Sequence, residues 1–260
     1  MLTIREYKQA ATLEEAWQLN QKRPNRVLGG MLWMRLSKGN VQTAIDLSAL
    51  GLDTIEETET EFRIGAMVSL RRLELHEGFT AYSDGANKEA LRHIVGVQFR
   101  NLATVGGSVF GRFGFSDVLT LLLVMDSYVE LYKGGIVPLA DFVNMPYDRD
   151  ILVHIIVKKT AAHYSYKSVR ISKTVLTCAA ALTQEGVQVA VGARPAKAAL
   201  VKDTEQLATL PMTAEKAQAF AEYAAGLLPT ETNPRGSAAY RTHLIKVLTA
   251  RCLTELGGKA

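Results

Sequence analysis

The segment Arg100-Asn101-Leu102-Ala103-Thr104-Val105-Gly106-Gly107-Ser108 constrains this chain more than any other stretch. An apolar approach ends in two adjacent glycines, which lack a Cβ and so permit a sharp turn or a close approach of backbone to a ligand. A turn of that kind points several N–H groups into one concavity, and such concavities bind phosphate. Thr104 and Ser108 flank the pair with hydroxyls able to donate to phosphate oxygens. A second pair, Gly29-Gly30, follows the apolar residues Val27 and Leu28 upstream. Two glycine loops, each able to hold part of a diphosphate, point to a dinucleotide site. Neither has the GxGxxG spacing of the ordinary nicotinamide-binding turn. A diphosphate would repel the downstream carboxylate of Asp117, which therefore reads as an acceptor for a ribose hydroxyl.

Composition narrows the setting. A chain of 260 residues can form one large domain or two to three smaller ones. Hydrophobic residues at 48% supply ample core, and 22% charged residues is ordinary for a soluble globular protein. The formal charge of +4 is spread along the chain without a basic block, which argues against a nucleic-acid partner. The longest apolar run, Val118 to Met125 broken only by Thr120, is far too short to span a bilayer. Met1 to Tyr7 lacks the uninterrupted apolar core of a signal peptide. Cys178 and Cys252 form no CxxC pair, so no zinc or iron–sulfur site is expected within this chain. Free cysteines of this kind fit a reducing cytoplasm. The five histidines show no metal-ligand spacing, and no serine or cysteine is placed as an activated nucleophile.

The pattern along the chain is mixed α and β. The segment Ala11 to Asn20 reads as a helix, with Thr12 as its N-cap and Glu15 three residues later in a capping-box pattern. Arg26-Val27-Leu28 predicts a short strand, Met31 to Leu36 a helix start, and Ala44 to Leu47 another strand. Strands are expected at Glu61 to Ala66, Ser127 to Tyr132 and Ile151 to Val157, with helices at Ser69 to Leu75, Asn87 to Ile94 and Val118 to Met125. From Ala161 the alternation of Tyr164 to Arg170, Val175 to Leu182 and Val187 to Val191 predicts a small antiparallel sheet, followed by helices from Thr213 and from Ala238. The resulting division is an α/β subdomain at 1–55, a second at 56–160 and an α+β C-terminal domain at 161–260.

Four motifs in order resemble the FAD-binding subunit of molybdenum hydroxylases, the flavoprotein of the xanthine dehydrogenase and carbon monoxide dehydrogenase family. The nine residues from Arg100 match its pattern R-N-x-A-T-I/V-G-G-N/S, and Asp117 with Leu121 to Leu131 matches an aspartate followed by L-L-A-L-D-A-x-V-x-L. Val27-Leu28-Gly29-Gly30 resembles the first flavin loop, and Phe62 to Ala66 resembles an I-x-I-G-A strand. Arg235 to Leu244 resembles R-A-S-A-x-Y-R-x-x-L at the start of the last helix. The resemblance implies an α+β, vanillyl-alcohol-oxidase-type fold, with FAD held between two α/β subdomains and a C-terminal domain set against the isoalloxazine. It implies that Val27, Leu28, Gly29, Gly30, Met31, Leu32 and Trp33, together with Thr104, Val105, Gly106, Gly107 and Ser108, enclose the diphosphate. Asp117 is then expected at the ribose, Ile94 on the adenine or flavin side, and Leu152 and Lys167 nearby. Lys167 reads equally as a solvated lysine at a strand edge.

The implied partners are a molybdopterin-binding large subunit, where substrate is hydroxylated, and a 2Fe–2S small subunit that passes electrons here. The implied exit is NAD⁺ or another acceptor. Two departures stand out. Met31-Leu32-Trp33 replaces a threonine and a polar residue, so phosphate binding at the first loop is expected to rely more on backbone N–H groups, and Thr104–Ser108 is expected to hold more of the cofactor. Gly111-Arg112-Phe113-Gly114-Phe115-Ser116 replaces A-S-P-x-x before Asp117. Arg112 then pairs with phosphate or with a partner subunit, and Phe113 or Phe115 either stacks near the ring or packs in the core. The first departure also motivates a rival reading, an assembly subunit of the same fold with weak or no flavin binding. An independent flavin oxidase is a third reading, disfavoured by the absence of room for a separate substrate domain.

Overall fold

The computed structural model describes residues 1–259. Each of the three regions is built on its own sheet. The first sheet contains β1 (Leu2–Gln9), β2 (Arg26–Leu28) and β3 (Gly39–Asp46), in the order β1-β3-β2. Both pairings are parallel, with Leu2 opposite Gly39 and Leu28 opposite Asp46. Parallel strands need a crossover, and α1 (Leu13–Asn20) carries the chain from β1 across to β2, on the far side of β3. Its start is fixed as its sequence predicts: Thr12 Oγ1 accepts from the Glu15 N–H at 3.1 Å, while the Glu15 carboxylate accepts from the Ala11 N–H at 2.7 Å.

The second sheet is antiparallel and has the order β4 (Ile55–Glu57), β5 (Glu61–Gly65), β8 (Leu152–Lys158), β6 (Ser127–Leu131) and β7 (Gly135–Pro138). Between β5 and β6 the chain makes a run of short helices: α2 (Leu70–Leu75), α3 (Glu77–Tyr82), α4 (Ala86–Leu91), α5 (Val97–Leu102), α6 (Val105–Phe110) and α7 (Asp117–Leu122). The helix α8 (Leu139–Asn144) follows β7. Every residue of α7 is buried, which accounts for its apolar sequence, broken only by Asp117 at its start and by Thr120. The last sheet, β12 (Ala199–Lys202), β11 (Gly186–Gly192), β10 (Thr174–Thr183) and β9 (Ala162–Arg170), is antiparallel. The helices α9 (Ala214–Leu227) and α10 (Ala238–Gly257) cover one face of it. One large apolar core joins the second sheet to its helices, and a separate core lies between the last sheet, α9 and α10. Among the described residues, no helix is long and apolar enough to cross a membrane.

Two expectations change. Met31 to Leu36 holds only a single 3-10 turn, Met34–Leu36, because the chain reverses at Met31 in a left-handed conformation (φ +58°). Gly106 and Gly107 do not form an open loop with positive φ. They lie in the first turn of α6, capped by Thr104, whose Oγ1 accepts the Gly107 N–H at 3.1 Å. Their small size serves close packing instead. A Cβ on Gly106 would fall 2.6 Å from the Ala66 carbonyl oxygen, and one on Gly30 would fall 1.9 Å from that of Leu102. The two glycine segments therefore touch through backbone, joining the first region to the second.

Gly30→Ala should accordingly destabilise the chain by about 2 kcal/mol, because neither backbone can move without disturbing the other. Gly226→Ala in α9, where an added Cβ meets nothing within 4 Å, should be neutral or stabilising by up to about 1 kcal/mol. Urea midpoints of the two variants check the contrast, and equal effects would refute the packing role of Gly30.

Candidate functional site

A long cleft follows the line where the glycine segments meet. Its smaller end, about 310 Å³, lies between β2 and the segment before β8, with Leu28, Leu47, Met67 and Leu152 as apolar lining. Its larger end, about 1210 Å³, opens between the first loop, α5 to α7 and the residues after β9. Val27, Gly29, Thr104, Gly107 and Phe110 line both ends, so the glycine contact forms the waist.

The sequence-predicted residues are largely brought together here. Leu28, Gly106 and Leu152 face the smaller end. Gly30, Met31, Leu32, Trp33, Ile94, Ser108 and Asp117 face the larger. Two residues are placed elsewhere. Val105 is fully buried in the core, and its N–H donates to the Val68 carbonyl at 2.8 Å. Lys167 lines neither end of the cleft and instead forms an ion pair with Glu255 on α10. Strand alternation explains this: Tyr164, Tyr166 and Arg170 share one face of β9, and Lys167 lies on the other. The residue of β9 that reaches the cleft is Arg170, which sequence reading missed and which parity with the two tyrosines would have found.

The hydrogen-bond donors are distributed unequally between the two loops. In the second segment the N–H groups of Val105, Gly106, Gly107 and Ser108 are all taken, by Val68, Ala66 and Thr104. The Ser108 hydroxyl donates to the Thr104 carbonyl at 2.9 Å. The Thr104 hydroxyl accepts from Gly107 and keeps its own proton free. In the first loop, among the described residues, the N–H groups of Gly29, Gly30, Met31 and Leu32 meet no acceptor. The first loop thus offers backbone donors where a side-chain hydroxyl is missing, while the second segment keeps free only the Thr104 hydroxyl. A cluster of unpaired backbone donors beside glycine-lined space is the donor set an anionic diphosphate needs. The residues present therefore fit FAD.

Charged groups set the walls. Arg100, within the nine-residue motif, is buried on Glu74 of α2 at 2.7 Å and donates also to the Ile94 carbonyl at 3.2 Å. Burial pushes the Glu74 carboxyl up, but hydrogen bonds from Arg100 and Arg71 outweigh it and hold the group below its ordinary value. Asp117 caps the larger end. Its Oδ1 accepts from the Tyr166 hydroxyl at 2.6 Å and from Arg170. Burial pushes the Asp117 carboxyl above its ordinary value against the pull of these two donors. At the smaller end Arg149 donates to the carbonyls of Asn20, Lys22 and Asn25, tying the first region to the segment before β8. Among the described residues no group of three metal-ligating side chains occurs.

The profile of the FAD binding domain in molybdopterin dehydrogenase matches residues 3–159, more than half of the chain. The chain belongs to this family. Residues 169–256 match the CO dehydrogenase flavoprotein C-terminal domain, so the first profile ends just after β8 and the second begins at the end of β9. FAD is the cofactor of this flavoprotein. The uncharacterized protein YgfM of Escherichia coli (strain K12) is 28% identical over 255 residues, covering 95% of this chain and 94% of that protein. Carbon monoxide dehydrogenase from Hydrogenophaga pseudoflava shares the fold at a TM-score of 0.88 and 21% identity, with 98% of each chain covered. Quinoline 2-oxidoreductase from Pseudomonas putida 86 shares it at 0.82 and 21%, covering 98% of this chain and 97% of that one.

Replacing Arg100 tests how the second segment is held. Arg100→Met leaves the Glu74 carboxylate buried beside Arg71 alone and should destabilise the flavoprotein by about 3 kcal/mol at pH 7. In the wild type the folded Glu74 pKa lies below its unfolded value of about 4.3, so the stabilisation is present above that pH and lost as pH falls through the folded pKa. The variant loses this dependence, so its deficit shrinks on acidification from pH 6 toward pH 3. A deficit constant with pH in denaturant titrations would refute the account.

Proposed function

We propose that this flavoprotein works within a molybdenum hydroxylase assembly, receiving electrons from a 2Fe–2S subunit and passing them to NAD⁺ or another acceptor. A molybdopterin-binding subunit is the third member of that assembly. The observation that carries the reading is the cleft itself: a donor-lined waist between two subdomains, in a chain of the FAD-binding family. Bound FAD supplies the conversion of one-electron arrivals into a two-electron exit. The chain's own residues bind and orient; none is required as acid or base.

In this reading the N–H groups of Gly29 to Leu32 and the free Thr104 hydroxyl hold the diphosphate. Asp117 Oδ1 is taken by Tyr166 and Arg170, and its second oxygen is the acceptor for a hydroxyl of the ribose or ribityl chain. Ile94 contacts the flavin half, and Leu28 and Leu152 the adenine half. Val105 acts through packing. The unpaired first-loop donors favour this reading over an assembly subunit that has lost the flavin, because Met31 and Leu32 remove side-chain hydroxyls and leave the backbone donors in place. A cytoplasmic location fits the two buried, unpaired cysteines.

Purification with FAD present should yield one flavin per chain, and isolation from the native host should recover iron–sulfur and molybdenum subunits with it. Chemically reduced flavoprotein should be reoxidised anaerobically by NAD⁺ or by an artificial dye. A flavin-free chain, or one isolated without such partners, would sink the proposal. Thr104→Val should weaken FAD about tenfold through loss of a hydrogen bond to a charged group, whereas Thr104→Ser and Ser108→Ala should change it little. Equal losses in Thr104→Val and Ser108→Ala, measured by flavin fluorescence titration, would contradict the donor assignment.

A further inference from the structure

Trp33, Phe113 and Phe115 form one aromatic cluster in the larger end of the cleft, although they come from two separate loops. The rings of Phe113 and Phe115 are stacked, 5.3 Å apart with planes at 13°, and Trp33 lies 5.4 Å from Phe115. Trp33 is 47% exposed and Phe113 40% exposed, so a broad aromatic surface faces concave space. Such a surface in a cleft marks a ligand site.

The backbone beside these rings is held in unusual conformations. Met31, two residues before Trp33, has φ +58°, and Arg112, immediately before Phe113, has φ +46°. Neither is a glycine, so both conformations are strained and persist only because the surroundings impose them. Arg112 shows how this is done. Its guanidinium is buried over the faces of Phe142 (3.9 Å) and Tyr147 (4.6 Å), and its Nη1 donates to the Met145 carbonyl at 2.6 Å. Its Nε and Nη2 meet no acceptor among the described residues. The Tyr147 hydroxyl closes the arrangement by donating to the Gly111 carbonyl at 2.8 Å. A buried cation with no ion-pair contact among the described residues is expensive, and its effect here is to fix the residue that aims Phe113.

We propose that Trp33, Phe113 and Phe115 are the ring-binding face for the isoalloxazine of FAD, with Arg112 as the positioning residue. The inference rests on the assignment of this cleft to FAD and adds how this chain holds the ring. Stacking compensates for the side-chain hydroxyl that Met31 and Leu32 do not provide. A planar ring fits the stacked faces whatever its substituents, because aromatic faces recognise shape and polarizability rather than hydrogen-bond pattern.

Titration of the full chain with FAD and with ADP tests this, because ADP carries the adenine, ribose and diphosphate but no flavin ring. Trp33→Ala and Phe113→Ala should each weaken FAD about tenfold and leave ADP unchanged within about twofold. Trp33→Phe should retain FAD affinity. Flavin fluorescence should be strongly quenched on binding to the wild type and recover part of its intensity in both alanine variants. Arg112→Met should recover flavin fluorescence in the same way with ADP affinity intact, an outcome that loss of stability alone would not produce. Parallel losses of FAD and ADP would make the cluster structural and overturn the proposal. Unchanged FAD affinity and quenching in the alanine variants would overturn it too, assigning the cluster to an acceptor or a partner surface. A wild-type chain that binds neither ligand would instead overturn the FAD assignment on which the inference rests.

Discussion

The contact between Gly29-Gly30 and the Leu102–Thr104 backbone fixes the geometry on which the rest of the site depends. Gly30 lies against the Leu102 carbonyl, Gly29 against the Thr104 hydroxyl and Gly106 against Ala66, all at distances that exclude a Cβ. Hydrogen bonds from Leu70 to Ala103, Val105 to Val68 and Gly106 to Ala66 then lock the second segment to the end of β5 and the start of α2. One wall of the waist is thus made rigid by spending its own donors. The other wall, the first loop, lies against it with donors unspent. The asymmetry follows from the packing, because a segment stitched on both sides into a sheet-and-helix layer has no N–H groups left to offer.

Buried charges act as pins at the corners of this frame. Arg100 joins α5 to α2 through Glu74, Arg149 joins the first region to the segment before β8, and Asp117 joins α7 to β9 through Tyr166 and Arg170. Arg241 is fully buried and donates to the carbonyls of Val175 and Glu231 and to the Asn233 side chain, holding the segment that carries Arg235 to the cleft. Such groups contribute little net stability compared with apolar residues of the same size. Their value lies in geometry, since each directional pair fixes one segment in one place.

What could be read from sequence followed the physical origin of each element. Strands buried on alternate or both faces, such as β5, β8 and β10, carry their pattern openly. The first strand does not, because nearly all of its residues are exposed and no burial pattern marks it. Gly106-Gly107-Ser108 reads as a loop because glycine is a poor helix former; tertiary packing against Ala66 and the Thr104 cap override that preference. Lys167 and Arg170 differ only in strand parity, which becomes decisive once β9 lies between two layers. The segment Asp148 to Asp150 carries no apolar or glycine signature. It reaches the cleft because the Arg149 guanidinium finds carbonyls of residues more than a hundred positions earlier.

The departures at Met31 and Leu32 take a different meaning in this frame. A loop that binds an anion through side-chain hydroxyls depends on residue type, whereas one that binds through backbone N–H groups depends only on the path of the chain. Here the path is set by the glycine contact and by the left-handed turn at Met31, so polar side chains can be exchanged for apolar ones while the donors persist. The exchange also changes what the neighbouring positions can do. In the proposed binding mode the backbone carries the hydrogen bonding, which leaves Trp33 to present a ring to the cleft, where Phe115 and its stacked neighbour Phe113 meet it. Loss of polar side chains at one loop and gain of aromatic surface at the next are two sides of one adjustment, made on a backbone frame that neither change disturbs.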